Sequence, residues 1–200
     1  IHMILDGVYY RAAIDAQKEH PLDGLVRARL SDYQARGVCL LRDGGDAWGV
    51  SLRARELAGE YGIDYRSPAF PIYRRGHYGA FIGRGFDTED EYRALLDEAG
   101  EKRADFIKLM ISGLIDFDHF GVLTEPGPEP QDIRRMIELA HAAGFAVMAH
   151  ANGDRAVMAA LQAGVDSIEH GAKMDEETIR LYKERGAFVC TTISPALPYA

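Results

Sequence analysis

Three residues dominate the chemistry available to this sequence: Lys108 in DFIKLMISG, His150 in VMAHANG and His170 in SIEHG. Each lies in or at the end of an apolar run. Neutral imidazole is a common ligand for a borderline divalent ion, and two imidazoles on neighbouring strands make half of a zinc site. A lone strand histidine more often reads as a hydrogen-bonded core residue, and the pair brings the two readings level. Lys108 is the anomaly, because an ammonium has three donors, no lone pair and a charge that repels a dication. Its neutral amine can instead react with CO2, giving an anionic carbamate with two oxygens able to bridge metals. Two other readings stay open: a buried lysine paired with a carboxylate, and a Schiff-base lysine at a barrel strand end.

Such residues act together only if the fold gathers them. Helical segments with apolar spacing of three and four residues alternate with short apolar runs, and glycine separates the two. Leu22, Leu25, Val26, Leu30 and Tyr33 share one helical face, with Pro21 suited to the first turn and Gly37 to the end. Further helices are predicted from Glu89 to a stop at Gly100, around Ile133–Ala140 ending at Gly144, from Ala156 to Gly164, and from Asp175 to Gly186. Seven strands are predicted, at residues 1–4, 38–42, 67–72, 106–111, 145–150, 167–170 and 188–192. The stretch 116–131, rich in Pro, Gly and Asp, reads as a long loop.

Gly-capped helices feeding continuous apolar strands indicate βα units around a buried parallel sheet. A Rossmann sheet would carry a Gly-rich turn after its first strand, and MILDGVYY has none. Polar residues close nearly every strand: Arg42/Asp43, Arg74/Arg75, Lys108, His150, Glu169/His170 and Thr191/Thr192. A barrel collects all these ends on one face. The expected fold is therefore α/β, a (β/α)8 TIM-type barrel present as an incomplete segment covering roughly strands one to seven. Residues 1–200 read as one domain, without a linker.

Composition narrows the partners. Against 23 Lys and Arg stand 31 Asp and Glu, a net charge of −8, and no basic cluster offers a nucleic-acid face. No apolar run approaches the ~18 residues of a membrane span. Two widely separated cysteines, Cys39 and Cys190, form no disulfide framework, so a cytoplasmic protein is expected. A homo-oligomer is compatible with this surface, and the expected partner is a small-molecule substrate.

The strings FIKLMISG, AHAAGFAVMAHANG and ALQAGVDSIEHG, in this order, resemble the amidohydrolase superfamily, in particular its imidazolonepropionase-like and Xaa-Pro (prolidase-like) dipeptidase branch. GVCLLRDGGD is similar to that branch's second-strand signature, and RRGHYG to its third-strand loop. The resemblance implies that Lys108 is carboxylated and bridges two divalent metals, zinc first on ligand type, while His150 and His170 bind one of them. His2 matches the second histidine of the first-strand His-x-His pair. The implied activity is hydrolysis of an amide C–N bond, in a dipeptide or a cyclic amide, by a metal-activated water. The family's first histidine of that pair and its strand-eight aspartate have no counterpart here. An interior segment of a longer enzyme is therefore expected, with any flanking β-sandwich outside it and no activity in these residues alone. By the same resemblance, or by position at the barrel mouth, His77, Tyr78, Arg74 and Arg75 are candidates to hold substrate, a free carboxylate above all.

Two alternatives accompany this reading: a lyase acting through a Lys108 Schiff base, and a non-catalytic ligand-binding barrel. Other residues read as structural. Arg42 and Asp43 suggest a buried ion pair, Gly44–Gly45 a tight turn or an anion cradle, and His141 a solvated helix residue.

Overall fold

The computed structural model describes residues 1–119, 121–171 and 174–192. Strands β1 (Leu40–Arg42) and β2 (Asp64–Arg66) form a parallel pair, and β3 (Pro71–Arg74), β4 (Arg84–Phe86), β5 (Ile107–Met110), β6 (Val147–Asn152), β7 (Ser167–Gly171) and β8 (Phe188–Cys190) form a parallel sheet in the order β4-β3-β5-β6-β7-β8. Helices α1 (Tyr10–Asp15), α2 (Asp23–Ala35), α3 (Val50–Ala58), α4 (Glu89–Glu101), α5 (Pro130–Ala142), α6 (Asp154–Gln162) and α7 (Glu176–Arg185) alternate with them. This is the arc of a parallel α/β barrel.

Local chemistry explains most boundaries. Thr88 Oγ1 accepts from Glu91 N at 3.2 Å at the start of α4, and the Asp175 carboxylate accepts from Thr178 N at 2.9 Å at the start of α7. Helix α7 ends at Gly186, whose φ of 65° is the left-handed cap expected of it. Gly100 departs from expectation. It stays inside α4, beside the Phe145 ring, and Arg103 takes the left-handed turn at φ 53°. Pro21 precedes α2 rather than sitting in its first turn.

The strand pattern differs from the prediction at the N-terminal side. Residues 1–4 form no strand; they lie against the end of β1 through Gly44 N to Ile1 O, 2.6 Å, and the Ile1 amino group to Arg42 O, 3.3 Å. The third strand is broken in two, because Pro68 has no N–H to give a ladder and Ala69 turns left-handed at φ 65°. Its first half, β2, pairs with β1 and its second half, β3, with β5, so one interrupted strand joins both sheets. Strand β4 and helices α1 and α3 were not foreseen.

Alternation along the strands separates two environments. Ile107, Leu109, Val147, Ala149, Ala151 and Ile168 face the helices, in a core with Ile133, Ile137, Val157 and Leu161. Lys108, Met110, Met148, His150, Ser167 and Glu169 occupy the opposite, concave face. Arg42 crosses that face from β1 to β7, donating to Glu169 Oε1 at 2.9 Å and Ser167 Oγ at 3.1 Å. The predicted Arg42–Asp43 pair is thus absent; neighbours on a strand point to opposite faces, and each residue finds other partners. A smaller cluster packs α2 and α3 on β1 and β2, through Val26, Leu30, Leu41, Val50, Ala54 and Tyr65.

Candidate functional site

Lys108 stands at the centre of the concave face, 3% exposed. Burial in the apolar arc pushes its amine down to about 8, against the pull of Glu169. Glu169 is already bound to Arg42, and no carboxylate among the described residues lies within ion-pair distance of Lys108. The buried ion pair considered for this lysine is therefore not formed, and its neutral, nucleophilic form is accessible near neutral pH.

His150 follows on β6, also 3% exposed. Its Nε2 is 3.2 Å from the carbonyl oxygen of Gly113 and 3.3 Å from Asn152 Nδ2, which leaves Nδ1 without a partner among the described residues. Burial and the Lys108 charge hold its pKa well below the usual histidine range.

His170 reaches the same place by a different route. Ile168 faces the helices and Glu169 the interior, so alternation would turn residue 170 outward. Its φ of 75° breaks that alternation. The ring swings in to a centroid distance of 4.7 Å from His150, edge to face. Nδ1 pairs with Thr192 Oγ1 at 2.6 Å, and burial and Lys108 lower the pKa to about 4. A non-glycine residue at positive φ costs of order 1 kcal/mol or more, and such strain persists where surrounding contacts over-determine it.

His2 completes the group. Its Nδ1 lies 2.8 Å from Gly45 O, leaving Nε2 unengaged, and burial first, with Lys108 adding, lowers its pKa to about 4 against the pull of Asp43. The positive charge of Lys108 acts on all three rings, and His2 and His170 both act on His150. The structure therefore brings Lys108, His2, His150 and His170 into one electrostatic neighbourhood.

The four substrate candidates separate. Tyr78 packs its ring 5.0 Å from His150, and His77 pairs through Nδ1 with Glu125 Oε2 at 3.0 Å. Arg74 and Arg75 instead sit in ion pairs, Arg74 with Asp132 at 3.1 Å, and Arg75 with Asp87 at 2.7 Å and Glu91 at 2.8 Å. His141, read as solvated, pairs with Asp166 at 2.9 Å.

Two residues not singled out by the sequence, Asn152 and Glu125, enter the site, and Asp43, read as half of an ion pair, enters it in another role. Asn152 lies two positions beyond His150 on the same face, a spacing that could have revealed it. Its Nδ2 donates to Gly113 O at 2.9 Å, and its buried Oδ1 has no partner among the described residues. Glu125 accepts from Tyr78 N and Gly127 N, at 3.1 and 2.9 Å, besides holding His77. Asp43 anchors the His2 segment, as described below.

The donors suit a divalent ion. Each of three imidazoles is held uncharged, with one nitrogen engaged by an oxygen and the other left over, the arrangement by which a second partner orients a metal ligand. The orphaned Asn152 Oδ1 adds an unsatisfied acceptor beside them. Among the described residues no three His, Cys, Asp or Glu side chains make such a site on their own.

The sequence pattern of the amidohydrolase family matches residues 49–196. Ochratoxinase of Aspergillus niger is 30% identical over 162 residues, which are 79% of this chain and 31% of that protein. Among solved structures, a prolidase complexed with N-methylphosphonate-L-proline superposes with a TM-score of 0.71 at 26% identity, over 96% of this chain and 51% of its own. A Xaa-Pro dipeptidase with bound methionine matches with a TM-score of 0.69 at 22% identity, over 86% of this chain and 47% of its own, and shows the fold alone. The chain thus spans about a third of the curated relative and about half of the solved structures.

Proposed function

This chain belongs to the amidohydrolase family, and from that premise we propose that it serves a metal-dependent hydrolase cleaving an amide-type C–N bond in a small molecule, a dipeptide or a cyclic amide. The observation that carries the reading is the ring of uncharged imidazoles about an unpaired, buried Lys108. In this reading the Lys108 amine adds to CO2, forming an N–C bond and releasing a proton. The cation at the centre of the site then becomes an anion with two ligating oxygens. His150 and His170 would hold a divalent ion through Nδ1 and Nε2 respectively, the nitrogens that Gly113 and Thr192 leave free, and His2 would do so through Nε2. Divalent metal held there, zinc first on ligand type, would supply Lewis acidity to a water and to the scissile carbonyl.

The remaining residues bind and orient. Tyr78 covers His150 and walls the site with an apolar ring whose hydroxyl stays protonated, since burial pushes it up to about 12. Glu125 fixes His77 by its Nδ1, so that Nε2 is the nitrogen available to substrate. Two free thiols, Cys39 and Cys190, support a reducing compartment such as the cytoplasm, and no helix among the described residues is long and apolar enough to cross a membrane.

The test is metal content together with carbamate. Dialysis against a chelator should abolish hydrolysis of an Xaa-Pro dipeptide or N-acyl amino acid panel, and zinc with bicarbonate should restore it. Carbon-13 bicarbonate should give a carbamate signal that Lys108→Met removes. Full turnover in metal-free protein would overturn the reading, and a borohydride-trapped adduct on Lys108 would move it to a Schiff-base lyase.

A further inference from the structure

The turn after β1, Asp43-Gly44-Gly45, has no part in the chemistry above, yet each of its residues meets the segment that carries His2. Asp43 is fully buried, and its neighbour Arg42 is engaged across the arc with Glu169. A buried carboxylate is costly unless its lone pairs are satisfied. Its oxygens accept from Gly45 N at 2.9 Å, from Met3 N at 3.3 and 3.4 Å, and from the Tyr65 hydroxyl. Met3 N is the amide next to His2, and Gly45 supplies the carbonyl that takes His2 Nδ1. One carboxylate thereby fixes both the backbone that carries the ring and the acceptor that orients it.

Gly44 supplies the space. A Cβ there would stand 2.3 Å from His2 Cε1 and 2.5 Å from Nε2, far inside contact distance. Its φ lies outside the left-handed region, unlike that of Gly45 at 80°, so the turn itself does not need glycine at 44. The imidazole does.

We infer that the Asp43-Gly44-Gly45 turn is a holder for the His2 imidazole: Asp43 is a positioning residue, Gly45 O selects the Nδ1–H tautomer, and Gly44 leaves the face on which the ring lies. The relevance to metal rests on the ligand role proposed for His2; the geometry of the ring does not.

The experiment uses the full chain and the variants G44A, D43N, Y65F, H2A and H150A, with G24A as the control, since Gly24 sits in α2 with open space about it. Zinc affinity is read by chelator competition, and the His2 tautomer by long-range nitrogen-15 NMR of metal-free protein. The wild type should show a protonated Nδ1. G44A and D43N should lose that signature and bind zinc about 10–100-fold more weakly, the range for partners that orient a ligand. G24A should change neither. In the H2A background G44A should cost nothing further. A G44A loss equally large in H2A, or an unchanged tautomer in G44A, would overturn the proposal. If G44A fails to fold, D43N and Y65F decide by the same two readouts. Should zinc affinity ignore H2A and H150A alike, the metal reading fails, while the tautomer still decides the holder.

Discussion

Lys108 and His150 stand on regular strands, and alternation alone turns them into the arc; His2 and His170 face the same point by exceptions to regular structure. His2 lies in a segment without strand pairing and is held by a turn from another part of the chain. His170 is on β7 but adopts φ 75° to leave the face its register would give it. The regular pair rests on the large core between sheet and helices, and the exceptional pair on local hydrogen bonds. The first arrangement is robust and the second adjustable, so they should fail differently when perturbed.

The largest effect expected is functional and is read most cleanly on the regular pair. Lys108→Met and His150→Ala should each lower kcat/KM by about 10³-fold, as several kcal/mol of metal-assisted stabilisation is lost. In metal-free protein, Lys108→Met should leave urea stability unchanged or raised, because there it removes a buried amine that has no ion-pair partner. Equal loss of fold and activity in Lys108→Met would remove the distinction between site and scaffold.

Leu109→Ala sharpens the contrast from the other face of the same strand. Leu109 is fully buried among Ile107, Ile133 and Ile137, and truncation should cost about 2–5 kcal/mol by urea unfolding while residual folded protein keeps its metal.

The residue that follows the turn holding His2 carries a pH dependence. Asp46 caps α3 through Val50 N and Ser51 N, at 3.0 and 2.7 Å, and burial with the nearby Asp43 raises its pKa to about 6. Between pH 4 and 6 the folded carboxyl keeps a proton that the unfolded chain has released. Its contribution is therefore full below the unfolded pKa and falls as pH rises to about 6, by at most about 3 kcal/mol at 1.36 kcal/mol per unit. The stability difference between wild type and Asp46→Asn should move in favour of Asn over that window; a flat difference would show that Asp46 is not shifted.

The smallest effect concerns strain at His170. His170→Gly should be more stable than His170→Ala by about 1 kcal/mol, since glycine accepts positive φ without a Cβ clash. Both should bind zinc less tightly than the wild type. Equal stability of the two variants would mean that the backbone at 170 relaxes once the imidazole is gone.

How much of this was legible in the sequence follows the same division. Helices with an apolar stripe and a terminal glycine, and strands that are continuous apolar runs, declare themselves because their burial repeats at 3.6 or 2 residues. Residues 106–111 and 145–150 were therefore found as strands, and Lys108 and His150 as the residues to watch. Gly100 misled, since it sits inside α4 where neither its φ nor a close contact calls for glycine. The break at Pro68 and Ala69, strand β4 and the loop course of residues 1–4 depend on contacts with distant segments, which no local period encodes.

The sequence by itself determined the alternating architecture, the acidic balance and the order Lys, His, His on successive strands, because these depend on residue type and short-range spacing. Only the tertiary structure decided where the charges went. Arg42 took Glu169 rather than Asp43, leaving Lys108 without a counter-ion; Arg74 and Arg75 were drawn to Asp132, Asp87 and Glu91; and Asp43 closed on the backbone beside His2. Each choice joins residues far apart in the chain, and electrostatic partners are set by distance and burial in the folded state, which spacing along the sequence does not carry.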